Sequence, residues 1–225
     1  DMKKLYKKIG VILALTMVIG LIPAQGVNAA KANDVAVTIT PGANGNSVAD
    51  MAVALMLDAA RNVSYMDSMI KSEDQQRPSG VEMWGKTLGV IGAGRIGQGV
   101  AKRCKGFNMR ILCYDMYENE EFKKEVGAEY TDLLTIIKES DFITIHSPLT
   151  DETKNMFSTE EFKIMKKNAV IVNTARGGII DEEALYFALK EGEIRAAGLD
   201  ATVVEPPYGS KLLELPNCTI TPHAG

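Results

Sequence analysis

Residues 88–97 read LGVIGAGRIG, an apolar run followed at once by three glycines in the spacing GxGxxG. The apolar run is typical of a buried strand, and the glycines open the helix that follows it. Gly92 allows a tight turn, Gly94 lets the backbone approach a pyrophosphate, and Gly97 lets the helix pack closely on the strand. The stretch therefore predicts a strand, turn and helix unit that binds a dinucleotide.

A carboxylate follows at the position that selects between the two nicotinamide dinucleotides. Asp115 comes directly after the next apolar run, residues 110–114. A carboxylate there accepts hydrogen bonds from both ribose hydroxyls and repels a 2′-phosphate. The pair of features predicts that NAD is bound in preference to NADP. The alternative is a glycine-rich turn with an incidental aspartate.

Apolar strands alternate with mostly helical stretches over the rest of the chain. Strands are predicted at residues 88–91, 110–114, 142–145, 169–172, 196–199 and 218–220. Strands that are apolar on both faces indicate a parallel sheet covered by helices on each side. The predicted fold class is α/β, a doubly wound parallel sheet of the Rossmann type. Ligands of such sheets bind beyond the carboxyl ends of the strands, so we expect the chemistry there.

Composition excludes several other classes of protein. The chain has 225 residues, 46% of them apolar and 24% charged, with a net charge of −4, which is typical of a soluble globular protein. After residue 30, no cluster of basic and aromatic residues offers a surface for nucleic acid. Cys104, Cys113 and Cys218 are too widely spaced for a metal or redox motif. We interpret them as reduced thiols of the core, and we expect no metal site.

The first 30 residues differ from the rest of the sequence. Four lysines lie between residues 3 and 8, an apolar run covers residues 9–24, and small residues follow near Ala29. This order is typical of a secretory signal peptide. The run is shorter than the ~20 residues of a membrane-spanning helix. A buried strand or helix of an incomplete domain is the alternative.

Two short elements are predicted before the glycine-rich turn. Residues 34–40 alternate as a strand does, and residues 47–62 form a helix that is apolar on nearly every side and therefore buried all round. Residues 65–85 are rich in polar residues and glycine, which indicates a linker or extended segment.

Charged and polar side chains follow several of the predicted strands. The chain has two histidines, His146 and His223, and each lies just beyond an apolar strand. Arg176 stands beside two glycines, where an arginine can hold a small carboxylate through two hydrogen bonds. A carboxylate bonded to a histidine orients its ring for acid–base chemistry. Asp200 and Glu205 are candidates for that part, although a capping aspartate and a solvated loop glutamate are the simpler alternatives.

Taken together, these motifs resemble the D-isomer-specific 2-hydroxyacid dehydrogenases, most of all their phosphoglycerate dehydrogenase-like members. The matching stretches are residues 92–97, Asp115, residues 146–149, 173–178, 198–207 and 221–223, in the family's order and spacing. The resemblance covers residues 33–225, roughly. It implies that Arg176 binds the carboxylate and carbonyl of a 2-oxo acid, while Glu205 and His223 supply the proton and NADH supplies the hydride.

The same resemblance implies a set of cofactor contacts. They are expected from Gly92, Gly94, Arg95, Ile96 and Gly97 at the pyrophosphate, from Asp115 at the ribose, from Ser147, Thr174, Ala175 and Asp200 near the nicotinamide, and from Thr40 at the crossover. His146 becomes a backbone and packing residue. The expected organisation is a signal-like segment (1–30), a remnant of a substrate domain with a crossover helix (31–62), a linker (63–85) and an NAD-binding domain (86–225).

Most of the family's substrate domain has no counterpart in this sequence, so we expect turnover by this chain to be impaired. An NAD-binding module without turnover is therefore an alternative function, and an unrelated secreted protein is another. The family suggests a homodimer, in which the helix at residues 47–62 lies near the subunit contact. Family resemblance favours the cytoplasm. Residues 2–29 favour export and offer the expected membrane contact.

Overall fold

Seven parallel strands form one sheet in the part of the chain that the computed structural model describes, residues 42–225. Their order is β3-β2-β1-β4-β5-β6-β7, so the chain starts near the middle and winds outward in both directions. The strands are β1 (Thr87–Ile91), β2 (Arg110–Tyr114), β3 (Glu129–Tyr130), β4 (Phe142–Ile145), β5 (Val170–Asn173), β6 (Ala196–Leu199) and β7 (Cys218–Ile220). The predicted doubly wound fold is confirmed. The two-residue strand β3 was not predicted, since it is too short to show a period.

Helices cover both faces of this sheet. They are α1 (Gly45–Arg61), α2 (Val63–Lys71), α3 (Arg95–Cys104), α4 (Glu120–Val126), α5 (Leu133–Glu139), α6 (Thr159–Ile164) and α7 (Glu182–Lys190), with 3-10 helices at Lys105–Phe107 and Lys211–Glu214. Helices α1, α3 and α4 share one core cluster, and α5, α6 and α7 share the other. Successive residues of β5 alternate between them: Val170 and Val172 face the first cluster and Ile171 the second.

Helix α1 is less buried than its sequence predicts. It packs on α3, β5 and β6, and its inward residues Ala52, Leu55 and Met56 are almost completely buried. On the other side Ala54 is exposed and Leu57 is half-buried. The prediction of a helix buried all round is therefore wrong within the described residues, because only one side of α1 meets the sheet and α3.

The predicted linker at residues 63–85 begins with a helix. Helix α2 starts where the Asp58 carboxylate accepts hydrogen bonds from the backbone N–H of Ser64 at 2.6 Å and from its hydroxyl at 2.8 Å. Such a side-chain acceptor stabilises the first turn of a helix, and Met69 anchors α2 through burial. The linker prediction is thus wrong for residues 63–71. Residues 72–85 contain no helix or strand, as expected.

Cys104 and Cys113 are buried, Cys218 is partly buried, and all three are free thiols. Burial raises the pKa of each to about 12, so they stay protonated at neutral pH. No helix between residues 42 and 225 has both the length and the apolar character needed to cross a bilayer. The signal-like segment, the strand predicted at 34–40 and Thr40 lie outside the described residues.

Candidate active site

The glycine-rich turn joins β1 to α3 at the carboxyl end of the sheet. Gly92 has φ +88°, and a Cβ on it would lie 2.8 Å from the carbonyl carbon of His146, so the turn abuts the end of β4. A Cβ on Gly97 would collide with the carbonyl oxygen of Gly92. Glycine is therefore required twice, once for the turn and once for the close approach of α3.

Gly94 is exposed and directly precedes the first turn of α3, and a Cβ added there would meet nothing within 4 Å. Beside it lies a cleft of about 220 Å³. Its walls are formed by Gly42, Asn44, Gly45, Gly94, Arg95, Ile96, Gly97 and His146. The first N–H groups of a helix have no partner within the helix and suit an anion. The turn therefore fits the pyrophosphate of a dinucleotide.

Asp115 lies against the same turn. One oxygen of its carboxylate accepts a hydrogen bond from the backbone N–H of Ala93 at 2.7 Å, and the other accepts one from the N–H of Tyr117 at 3.1 Å. The carbonyl of Ala93 in turn accepts a hydrogen bond from the side-chain amide of Gln98 at 2.8 Å. The peptide at Ala93 is thus held on both sides, and the carboxylate sits next to the turn.

His146 is held by two threonine hydroxyls beyond the end of β4. Its Nε2 lies 2.9 Å from the hydroxyl of Thr144, and its Nδ1 lies 3.3 Å from the hydroxyl of Thr174. Burial lowers its pKa to about 3, so the ring is neutral at physiological pH. A neutral ring whose two nitrogens both contact threonine hydroxyls is suited to packing and orientation, and it is not suited to act as a general acid.

Ser147 follows His146, and its hydroxyl oxygen is buried without a hydrogen-bond partner. Buried hydroxyls nearly always have a partner, because an unpaired one costs about 1 to 3 kcal/mol. This hydroxyl lies one residue after the cleft-lining His146. An orphaned polar atom here is a second feature that fits a bound cofactor.

The turn after β5 carries Arg176. Buried Asn173 accepts a hydrogen bond from the N–H of Ala175 at 3.0 Å and donates one to the carbonyl of Arg176 at 2.8 Å. The guanidinium is partly buried and donates to the carbonyl of Ala175 at 2.6 Å. A Cβ on Gly177 would collide with the backbone of Thr202, so this turn touches the loop that leads to Glu205.

Glu205 and His223 form a hydrogen-bonded pair beyond β6 and β7. Both carboxylate oxygens of Glu205 lie 2.9 Å from Nδ1 of His223, which leaves Nε2 of the ring free of this contact. The side chains are 42% and 37% exposed. Glu205 also accepts a hydrogen bond from the N–H of Thr202 at 3.2 Å. A carboxylate on one ring nitrogen fixes the orientation of the other, as proton transfer requires.

This arrangement matches a known family of proteins. The sequence model of one protein family, "D-isomer specific 2-hydroxyacid dehydrogenase, NAD binding domain", matches residues 53–225 of this chain. The chain belongs to this family. The family and its cofactor, NAD, are therefore as the sequence predicts.

Two curated relatives and one solved structure illustrate this membership of the 2-hydroxyacid dehydrogenases. The D-3-phosphoglycerate dehydrogenase of Methanocaldococcus jannaschii is 49% identical over 202 residues, covering 88% of this chain and 38% of that protein. The glyoxylate reductase of Thermococcus litoralis is 45% identical over 198 residues, covering 84% of this chain and 60% of that protein. The D-lactate dehydrogenase with NAD+ from Lactobacillus jensenii has a TM-score of 0.78 at 32% identity, covering 90% of this chain and 66% of that one. The chain thus spans between about two fifths and two thirds of the length of these relatives.

Asp200 contacts the segment that carries His223. Its buried carboxylate accepts hydrogen bonds from the hydroxyl of Thr221 at 2.6 Å and from the N–H groups of Ala224 and Gly225, each at 2.9 Å. Within the described residues it therefore holds the segment on both sides of His223, which adopts φ +56°. This bracing role was not predicted from the sequence, and a contact of Asp200 with the nicotinamide stays a prediction.

Two other residues of this dehydrogenase domain were missed. Asn173 and Gln98 each hold a peptide of a functional turn through the side-chain amide. Both stand within or next to the matching motifs, yet their partners are backbone atoms, which sequence spacing does not reveal. The residues predicted near the nicotinamide follow two neighbouring strands at the carboxyl edge of the sheet: Ser147 comes after β4, and Thr174 and Ala175 come after β5.

Proposed function

We propose that this chain is the cofactor-binding part of an NAD-dependent oxidoreductase that interconverts 2-hydroxy and 2-oxo acids. The observation that carries the proposal is the joint presence, at one edge of the sheet, of the glycine turn with Asp115 and of the Glu205–His223 pair. The glycine turn with Asp115 holds a dinucleotide, and the Glu205–His223 pair transfers a proton. Bound NADH supplies the hydride.

Arg176 holds the carboxylate of the 2-oxo acid in this proposal. Its guanidinium presents several donors in a planar fork, which matches a carboxylate and the neighbouring carbonyl oxygen. The hydrogen bond from the guanidinium to the carbonyl of Ala175 uses one donor and fixes the direction of the group. The remaining donors are available for substrate.

His223 transfers the proton. In the direction of reduction, the imidazolium donates the proton on Nε2 to the oxygen that was the carbonyl oxygen of the substrate. Glu205 keeps the ring in place through Nδ1 and offsets the positive charge of the imidazolium. His146 has no part in this step because its ring stays neutral at physiological pH.

An assay of NADH consumption tests this proposal. Oxidation of NADH is followed at 340 nm with glyoxylate or hydroxypyruvate for the protein, for Arg176→Gln and for the exposed Arg77→Gln as a matched control. We expect Arg176→Gln to lower kcat/KM by roughly 100-fold, since it removes a charge-assisted bidentate contact. Arg77→Gln should retain full activity. Saturable NADH binding without oxidation by either 2-oxo acid would leave a binding module and overturn the enzyme proposal.

We further propose that the protein is a homodimer whose contact includes α1 and α2. Apolar side chains stand exposed on both helices: Val63 is 54% and Ile70 is 63% exposed on α2, and Ala54 is exposed on α1. Sedimentation analysis should give twice the monomer mass, and Ile70→Glu should shift the equilibrium to monomer. A wild-type monomer at micromolar concentration would contradict this part.

We propose a cytoplasmic location, since the three free thiols and the use of NAD suit a reducing compartment. Mass spectrometry of the intact protein from fractionated cells should find it in the cytoplasmic fraction with residues 1–30 present. Cleavage near residue 29 with export would support the signal-peptide interpretation instead.

A further inference from the structure

Asn173 is buried in the turn that carries Arg176, and only 1% of its surface is exposed. Its side-chain oxygen accepts the hydrogen bond from the N–H of Ala175, and its side-chain nitrogen donates to the carbonyl of Arg176. Both ends of one amide are therefore used within a single three-residue turn. We propose that Asn173 is a positioning residue for substrate binding, because it sets the direction in which Arg176 leaves the end of β5.

The arrangement requires an amide group. An aspartate has nearly the same shape and keeps the acceptor for Ala175, but its second oxygen would face the carbonyl oxygen of Arg176 and repel it. Alanine removes both bonds and leaves two backbone groups of a part-buried turn without these partners. The two substitutions therefore separate the donor from the acceptor.

The direction of the Arg176 side chain is linked to two neighbouring contacts at this edge of the sheet. Its guanidinium already donates to the carbonyl of Ala175, the peptide that Asn173 fixes through the N–H of the same residue. The next residue, Gly177, lies against the backbone of Thr202, whose N–H bonds Glu205. A shift of this turn would thus move the proposed carboxylate-binding group relative to the proposed proton-transfer pair. This role of Asn173 rests on the function proposed for Arg176.

A misplacement of about 1 Å in a substrate-positioning group can lower the rate roughly 100-fold. For Asn173→Asp we therefore expect kcat/KM for glyoxylate to fall ~10- to 100-fold, mainly through a higher KM, while the Kd of NADH stays within about threefold of wild type. Asn173→Ala should lose at least as much. Asn217→Ala is the matched control, since the part-buried Asn217 also donates to backbone carbonyls, those of Leu189 and Arg195.

Two NMR readouts test the inference in the full chain without any turnover. Hydrogen exchange of the Ala175 amide should accelerate about tenfold in Asn173→Ala and stay near the wild-type rate in Asn173→Asp, which keeps the acceptor. The Nε–H signal of Arg176, assigned by its loss in Arg176→Lys, should move in both variants and not in Asn217→Ala.

These readouts separate the two proposals. If wild type does not oxidise NADH with any 2-oxo acid, the proposed function fails, and the NMR signals still decide whether Asn173 directs Arg176. An Arg176 signal that is identical in wild type and Asn173→Asp would overturn the inference. So would unchanged kcat/KM in an Asn173→Asp protein that melts at the wild-type temperature. Asn173→Asp preserves the shape of the side chain and the hydrogen bond from the N–H of Ala175. It can therefore be used for the test if Asn173→Ala does not fold.

Discussion

The cofactor turn and the Glu205–His223 pair lie at the same edge of the sheet but are built in different ways. The turn at residues 92–97 is anchored in the core: Ala93 and Gly97 are buried, and the turn is packed between β1, β4 and α3. The Glu205–His223 pair stands on loops, with its side chains 42% and 37% exposed. An exposed pair adds only about 0 to 1 kcal/mol of stability. The comparison teaches that changes at the buried positions of the turn should affect folding and binding together, whereas changes in the pair should affect the rate alone.

Removing the proton donor should have the largest effect. His223→Gln abolishes general acid catalysis, so we expect kcat to fall by ~10² to 10⁴, the usual contribution of such a group. Because the side chain is exposed, the melting temperature and the Kd of NADH should not change. Steady-state kinetics, thermal melting and NADH titration check the three quantities. A large loss of stability would show that the pair is structural and would break the comparison.

Adding a methyl group to the turn should weaken cofactor binding in two distinguishable ways. A Cβ in Gly94→Ala meets no atom of the described residues within 4 Å, so the variant should preserve the melting temperature and raise the Kd of NADH by roughly tenfold or more. Gly97→Ala collides with the carbonyl of Gly92 and should also destabilise the fold, by about 1 to 3 kcal/mol.

Gly106→Ala is the control for both variants, since a Cβ there also meets nothing within 4 Å and lies away from the turn. Gly106→Ala should change neither the melting temperature nor the Kd of NADH. Tight NADH binding by Gly94→Ala would contradict the assignment of the pyrophosphate to this turn.

A change at the ribose position should have a moderate effect on specificity. Asp115→Ser removes the carboxylate that is expected to repel a 2′-phosphate, so the ratio of NADPH to NADH affinities should rise about tenfold. The N–H of Ala93 also loses its acceptor, and some loss of NADH affinity should accompany the change. Fluorescence titration with both cofactors measures the ratio. An unchanged preference would place the selectivity elsewhere.

The neutral ring of His146 should affect acid stability and no catalytic quantity. Its pKa is about 3 in the folded protein and ordinarily 6.5, so the unfolded chain binds one more proton between these values. Stability is therefore lost as the pH falls below 6.5, by at most about 1.4 kcal/mol per pH unit from this group. Urea unfolding at pH 7 and pH 5 should show a smaller loss for His146→Gln than for wild type. Equal losses would argue that His146 is not buried as a neutral ring.

Sequence reasoning was most successful where function depends on local spacing. The roles of Gly92 and Gly97 follow from the turn itself, and six strands were located because apolar runs between helices are long enough to recognise. Helix α2 was missed because it is only nine residues long and leads into a polar stretch, and its stability comes from the contact of Asp58 with Ser64 and from the burial of Met69. Such tertiary contacts override local composition.

In the candidate site, too, the residues set by motif order could be predicted from the sequence and those set by tertiary contacts could not. Arg176, Glu205 and His223 were predicted from motif order, and the structure brings Glu205 and His223 into contact although 18 positions separate them. The contacts of Asn173 and Asp200 could not be predicted, because each is made to backbone groups of a loop whose path the sequence does not show. Thr40 stays a prediction, since it lies outside the described residues.

The most direct test of the central claim is a crystal structure of the protein with NADH. The account predicts the pyrophosphate at the first turn of α3 beside Gly94, and the ribose hydroxyls of the adenosine half on the Asp115 carboxylate. The nicotinamide should lie toward Ser147, on the side of His223. A dinucleotide bound elsewhere on the sheet, or one whose adenosine ribose does not contact Asp115, would contradict it.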